Sequence, residues 1–106
     1  MATLRFALAQ FDFPVGAVAD NGARVRELMR QARDAGAQLV AFPELTLSGY
    51  PPEDLLLRPS FLAVCERELV EVARSSDGIA AYVGHPHALG EVYNAASLLA
   101  GGAVAF

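Results

Sequence analysis

Two short apolar runs with an amphipathic segment between them constrain the fold of this chain most. In residues 4–10, Leu4, Phe6, Leu8 and Gln10 alternate with Arg5, Ala7 and Ala9. Most of these are apolar, so the run reads as a strand covered on both faces. Asp12, Pro14 and Gly16 break it, and Asp20 or Asn21 then offers an N-cap. Across residues 22–35, Val25, Leu28, Met29, Ala32 and Ala35 recur at helical spacing. Arg26, Glu27, Arg30, Arg33 and Asp34 take most of the remaining places. Gly36 stands where a left-handed C-terminal cap belongs. Residues 38–42 read as a second strand. A strand, a crossover helix and a second strand form a βαβ unit, which predicts parallel pairing.

The pattern continues downstream. Pro59 suits the first turn of a helix, with Leu62, Cys65, Leu69, Val72 and Ala73 as its inner stripe. Residues 75–78 end it and residues 79–84 form a third strand. His85-Pro86-His87-Ala88-Leu89-Gly90 is expected to be a turn. Residues 92–100 form a fourth strand, Gly101-Gly102 signals a hairpin, and Ala103-Val104-Ala105-Phe106 begins a fifth strand. The fold class is α/β. An apolar strand at the end of a chain is an unpaired edge, so these residues are expected to be the front of a larger domain.

Composition removes several classes of function. A chain of 106 residues is one domain at most, and 54% hydrophobic with 19% charged residues describes a globular interior. The net charge of −4 and the lack of a basic cluster argue against a nucleic-acid partner. All eight basic residues are Arg; the chain has no Lys. The single Cys, Cys65, has no internal partner for a disulfide, which fits a reducing compartment. Residues 1–10 lack the basic start and cleavage site of a signal peptide, and no run approaches the ~18 apolar residues of a membrane span. A cytoplasmic protein that engages no membrane is expected.

Glu44 follows the apolar run Leu39-Val40-Ala41-Phe42 after a single Pro43, and a loop rich in Pro and Gly comes after it. A carboxylate at the end of a buried strand is costly to desolvate. General-base chemistry at the carboxyl edge of a sheet is one reason for it to be there. The other readings are a solvated loop carboxylate or a structural partner for an Arg. Cys65 lies in mid-helix on the apolar stripe, where a thiol is a core residue and not a nucleophile. His85 and His87 form an H-x-H pair without further ligands nearby, so a polar turn is the better reading and no metal site is expected. Glu53 and Asp54 cap the following turn or face solvent. Asn94 either anchors a loop through its side chain or supports the site. Arg26, Arg30 and Arg33 form a solvated helix face, with Glu27–Arg30 and Arg30–Asp34 at ion-pair spacing.

Phe42-Pro43-Glu44-Leu45 with Ser48-Gly49-Tyr50 resembles the first catalytic motif of the nitrilase superfamily, the carbon–nitrogen hydrolases. Ala7-Leu8-Ala9-Gln10 is similar to that family's opening strand. Val83-Gly84-His85-Pro86 followed by Tyr93-Asn94-Ala95-Ala96 is similar to its next strand pair. The resemblance covers the chain from about residue 4 to Phe106. The extension Tyr50-Pro51-Pro52-Glu53-Asp54-Leu55-Leu56-Leu57-Arg58-Pro59-Ser60-Phe61 further resembles the N-terminal glutaminase domains of glutamine-dependent NAD synthetases.

The resemblance implies the N-terminal part of a nitrilase-type α-β-β-α sandwich, with residues 1–106 as a portion of a glutamine amidohydrolase domain. It implies a Glu–Lys–Cys triad in which Glu44 is the general base, a Cys forms a thioester with the glutamine acyl group, and a Lys stabilises the oxyanion. Both the Lys and that Cys would lie beyond Phe106, so this chain alone is expected to be inactive. Tyr50 would line the glutamine pocket; the alternative is an apolar plug with its hydroxyl at the surface. The implied partners are glutamine, the rest of the same polypeptide and further copies in a homo-oligomer. ATP, Mg and deamido-NAD would belong to a synthetase domain whose Ser-Gly-Gly-x-Asp-Ser motif is absent here. One alternative is another amidase or carbamoylase of the nitrilase family, against which Pro51-Pro52-Glu53-Asp54-Leu55 argues. The other is a non-catalytic α/β module.

Overall fold

In the computed structural model, which describes residues 3–106, the βαβ unit forms around helix α1 (Val18–Asp34). Strands β1 (Phe6–Leu8) and β2 (Leu39–Ala41) pair in parallel, Phe6 opposite Leu39 and Leu8 opposite Ala41. A 3-10 turn over Glu53–Leu57 leads into helix α2 (Pro59–Ala73), with Pro59 at its first position. Strand β3 (Ala80–Leu89) lies parallel to β2, while β4 (Glu91–Ala100) and β5 (Ala103–Val104) return antiparallel. The result is one mixed sheet with spatial order β1-β2-β3-β4-β5.

Both helices cover the same face. Val25, Met29 and Ala32 of α1 and Leu69, Val72 and Ala73 of α2 join Val40, Ala81, Val83 and Leu99 of the sheet in one apolar cluster. Fully burying a side chain such as Val25 or Met29 stabilises the fold by about 1.5–3 kcal/mol. The C-terminus of α1 closes as the sequence predicts. Gly36 adopts φ +89°, its N–H bonds Arg33 O at 2.9 Å, and the Ala37 N–H bonds Ala32 O at 2.9 Å. Those two bonds are the pair that satisfies orphan carbonyls in a Schellman cap.

Three expectations need correction. Strand β1 is not covered on both faces: Ala7 packs on the core, but Phe6 and Leu8 are exposed. With both helices on one side, strict alternation sends these two side chains, and Tyr82 in register with Ala41, to the open face. Helix α1 begins at Val18, before residue 22, and Ala17 holds the N-cap position without a side-chain bond. Neither Asp20 nor Asn21 caps it. Residues 85–89 are not a turn but the second half of β3; the chain reverses only around Gly90. Pro86 is tolerated there because β2 pairs with residues 80–82 alone, so beyond them β3 has an open side that needs no N–H.

Candidate active site

Glu44 sits just past the C-terminal end of β2, as the sequence predicts, and the backbone around it is held from three sides. From β3, the Gly84 carbonyl accepts the Leu47 N–H at 3.3 Å. From α1, the buried Asn21 amide donates to Pro14 O at 2.8 Å and to Leu47 O at 3.0 Å. From the loop after β1, the Gly16 N–H donates to Ser48 O at 2.9 Å. Leu45, Leu47 and Ser48 are buried beneath the loop, and Thr46 and Ser48 hydroxyls donate to carbonyls of the loop itself. Leu45 adopts φ +49°, a left-handed conformation that costs an L-residue roughly 1–2 kcal/mol. The surrounding bonds impose that geometry, so Glu44 is fixed in place by its neighbours.

Gly84 is the closest of these supports. A Cβ there would lie 2.6 Å from Leu45 N, 2.6 Å from Pro43 O and 2.8 Å from Glu44 Cα. The Glu44 backbone therefore rests directly on β3 where β3 has no side chain. An isolated Gly in an otherwise strand-like run is the sequence signal for such an approach.

The Glu44 side chain itself is exposed. The desolvation cost expected from its place after an apolar strand is not incurred in this chain, because the open sheet face leaves the carboxylate in solvent. One group holds it: Asn94 Nδ2 of β4 donates to Glu44 Oε2 at 2.8 Å. No Arg or His lies within ion-pair distance of Glu44 among the described residues, so the reading as a structural partner for an Arg fails. A cleft of about 300 Å³ opens beside this pair, lined by Phe42, Pro43, Tyr82, Gly84 and Ala96. A smaller hollow of about 160 Å³ lies on the other side of Glu44, where Tyr50 meets Phe11, Asp12 and Phe13. Tyr50 is 60% exposed and shares that hollow with the carboxylate.

The other sequence candidates lie elsewhere. Cys65 is buried in α2, and burial pushes its thiol up to about 11, which suits a core residue and not a nucleophile. His85 is buried in β3, with Nε2 2.7 Å from Ser97 Oγ and Nδ1 3.2 Å from Pro86 O. Burial holds its imidazole below the ordinary value. His87 is 3.8 Å from Glu66. No group of three His, Cys, Asp or Glu side chains converges among the described residues. Glu53 and Asp54 occupy the first turn of the 3-10 segment, exposed and without a capping bond.

A larger cleft of about 390 Å³ lies far from Glu44, along α1 and the α2–β3 connection, lined by Arg26, Arg30, Arg33 and Arg74. It is not an anion site. Arg26 pairs with Glu68, Arg30 with Glu27 and Asp34, Arg33 with Asp34, and Arg74 with Glu71. These are mostly the exposed ion pairs expected of a solvated helix face.

The family model for carbon–nitrogen hydrolases matches residues 5–102. The chain belongs to the carbon–nitrogen hydrolase family. This carbon–nitrogen hydrolase chain is 59% identical over 103 residues to the glutamine-dependent NAD(+) synthetase of Xylella fastidiosa, covering 95% of the chain and 19% of that protein. Its structure is similar to that of the glutamine-dependent NAD+ synthetase of Acinetobacter baumannii, solved in complex with ADP, with a TM-score of 0.91 and 32% identity. That match covers the whole chain and 20% of the solved one. It is also similar to an amidase of the nitrilase superfamily from Nesterenkonia AN1, with a TM-score of 0.81 and 25% identity over 97% of this chain and 41% of that one. The chain thus spans about a fifth of the length of the NAD synthetases it matches. No helix among the described residues is long and apolar enough to cross a membrane.

Sequence reasoning singled out Glu44 and Tyr50 and left Asn94 between two roles; the geometry joins Asn94 to Glu44. It missed Asn21 as a tie and Gly84 as a support. For Gly84 the signal was a lone Gly in a strand. For Asn21 nothing local distinguishes a helix cap from a buried tie.

Proposed function

We propose that residues 1–106 are the N-terminal part of a glutamine amidohydrolase domain and that Glu44 is its general base. The observation that carries this reading is the Glu44 carboxylate, locked at the end of β2, held by an amide and free of cationic partners among the described residues, at the mouth of a cleft, in a chain of this family. A base must be placed first and have a suitable basicity second. A cationic partner would hold a carboxylate too firmly in its charged form; a neutral amide orients it without adding charge.

In the proposed reaction a Cys thiol supplied from beyond these residues gives its proton to Glu44 and attacks the amide carbon of glutamine. The tetrahedral adduct collapses, ammonia leaves with the proton that Glu44 returns, and a thioester remains. Water then loses a proton to Glu44 and attacks the thioester. The acyl carbon leaves as glutamate and the thiol regains its proton. A Lys would stabilise both oxyanions, and this chain has none. The likeness to glutamine-dependent NAD synthetases supports ammonia delivery to an ATP-dependent amidation of deamido-NAD. The residues described here fit neither ATP nor Mg: no metal-donor group converges, and the arginines of the basic cleft are held by carboxylates. No step in these residues runs through either. Tyr50 would line the glutamine pocket; its sharing of the smaller hollow with Glu44 supports that reading.

The 106-residue chain is expected to release no ammonia from glutamine above background. Ammonia release that disappears on Glu44→Gln would overturn the inactivity of the chain alone. In the intact amidohydrolase domain, Glu44→Gln is expected to lower kcat by about 10²–10⁴-fold; a full rate in that variant would remove Glu44 from the chemistry.

A further inference from the structure

We infer that Asn94 is a positioning residue for Glu44, holding one carboxylate oxygen so that the other is the atom that exchanges the proton. This rests on the reading of Glu44 as general base. The two residues are 50 positions apart; Glu44 follows the C-terminal end of β2 and Asn94 lies near the start of β4, which antiparallel pairing with β3 brings to the same edge of the sheet. Asn94 Nδ2 donates to Glu44 Oε2 at 2.8 Å. No described residue donates to Oε1. A carboxylate turning freely at the end of its three-bond side chain would present either oxygen; one bond to a strand residue removes that choice.

The register explains how Asn94 reaches Glu44. Asn94 stands opposite Pro86 and Ala96 opposite Gly84, so the strip of β3 and β4 next to the Asn is built from a buried Pro, a Gly and an Ala, none with a polar side chain. Gly84 lets the Glu44 backbone settle on β3, and Ala96 keeps the floor of the cleft low. The Asn94 amide is then the one polar side chain of this strip that meets the carboxylate. It is exposed on the open face and makes no bond that holds β3 to β4, so its role is not to support the hairpin.

The test is a pair of variants in the intact amidohydrolase domain, assayed by ammonia release from glutamine. Asn94→Ala is expected to lower kcat by about 10–100-fold with KM little changed. Asn94→Asp keeps the shape, loses the donor and adds a like charge, and is expected to be slower still. Glu44→Gln separates the two readings. If Glu44→Gln retains its rate, the base assignment falls and this inference with it. If Glu44→Gln is inactive while Asn94→Ala keeps the wild-type kcat, the inference is overturned and the base assignment stands. A second measurement does not depend on folding of the variants. In the 13C,15N-labelled intact amidohydrolase domain, the Asn94 side-chain amide resonances are expected to shift with pH in step with the Glu44 carboxyl carbon. An Asn94 amide that ignores Glu44 ionisation overturns the inference.

Discussion

A methyl group at Gly84 would lie 2.6 Å from two backbone atoms of the loop that carries Glu44. Backbone cannot swing aside as a long side chain can, so Gly84→Ala is expected to destabilise the protein by about 1–3 kcal/mol. It should also lift Glu44 away from Asn94. A urea denaturation midpoint equal to wild type, with the Asn94 amide resonances unmoved, would show that the close approach is not needed. Glu44 itself was legible in the sequence, because its place after an apolar run follows from chain order. Its hydrogen-bond partner was not, because Asn94 meets it only through the pairing of β3 with β4. Asn21 shows the same limit. An Asn before a helical pattern reads as a cap, but here the helix starts earlier and the buried amide ties α1 to the Glu44 loop.

At the scale of elements, the βαβ unit, the Pro59 start of α2 and the Gly36 cap came from local patterning and are all present. The second half of β3 was not legible. Pro86 between two His residues reads as a turn, yet the long pairing with β4 holds residues 85–89 extended. That extension buries His85 against Ser97, and the β3–β4 pair is therefore expected to be sensitive to pH. Burial keeps the His85 imidazole below its ordinary value of 6.5, against the opposing bond to the Pro86 carbonyl, with His87 adding repulsion and Glu66 a smaller attraction. As pH falls, the unfolded chain takes up this proton first. The stability that depends on the neutral ring is therefore whole above pH 6.5 and is lost as pH drops from 6.5 through the lower value of the folded state. The urea midpoint is expected to decline from about pH 7.5 to about pH 5.5, and His85→Gln should flatten the decline. A wild-type midpoint that stays level across that range would contradict the assignment.

For the molecule as a whole, helices on one face leave Phe6, Leu8 and Tyr82 exposed at 58%, 69% and 49% on the other. Strands β1 and β5 are the sheet's edges among the described residues. An open apolar face and open edges both favour association. The 106-residue chain alone is expected to sediment as species larger than a monomer and to bind an apolar dye. Leu8→Lys, which places a charge on that face, should shift it toward monomer; a wild-type monomer that binds no dye would contradict this. The order of elements, the parallel pairing of β1 with β2 and the seat of Glu44 at the end of β2 are readable along the chain. Each follows from periodicity and punctuation within a few turns of chain. That both helices share one face, that β3 runs through Pro86 and that Asn94 takes hold of Glu44 emerge only from the folded chain. Those depend on strand register and on the choice of sheet face, which join residues far apart in the chain and leave no local trace.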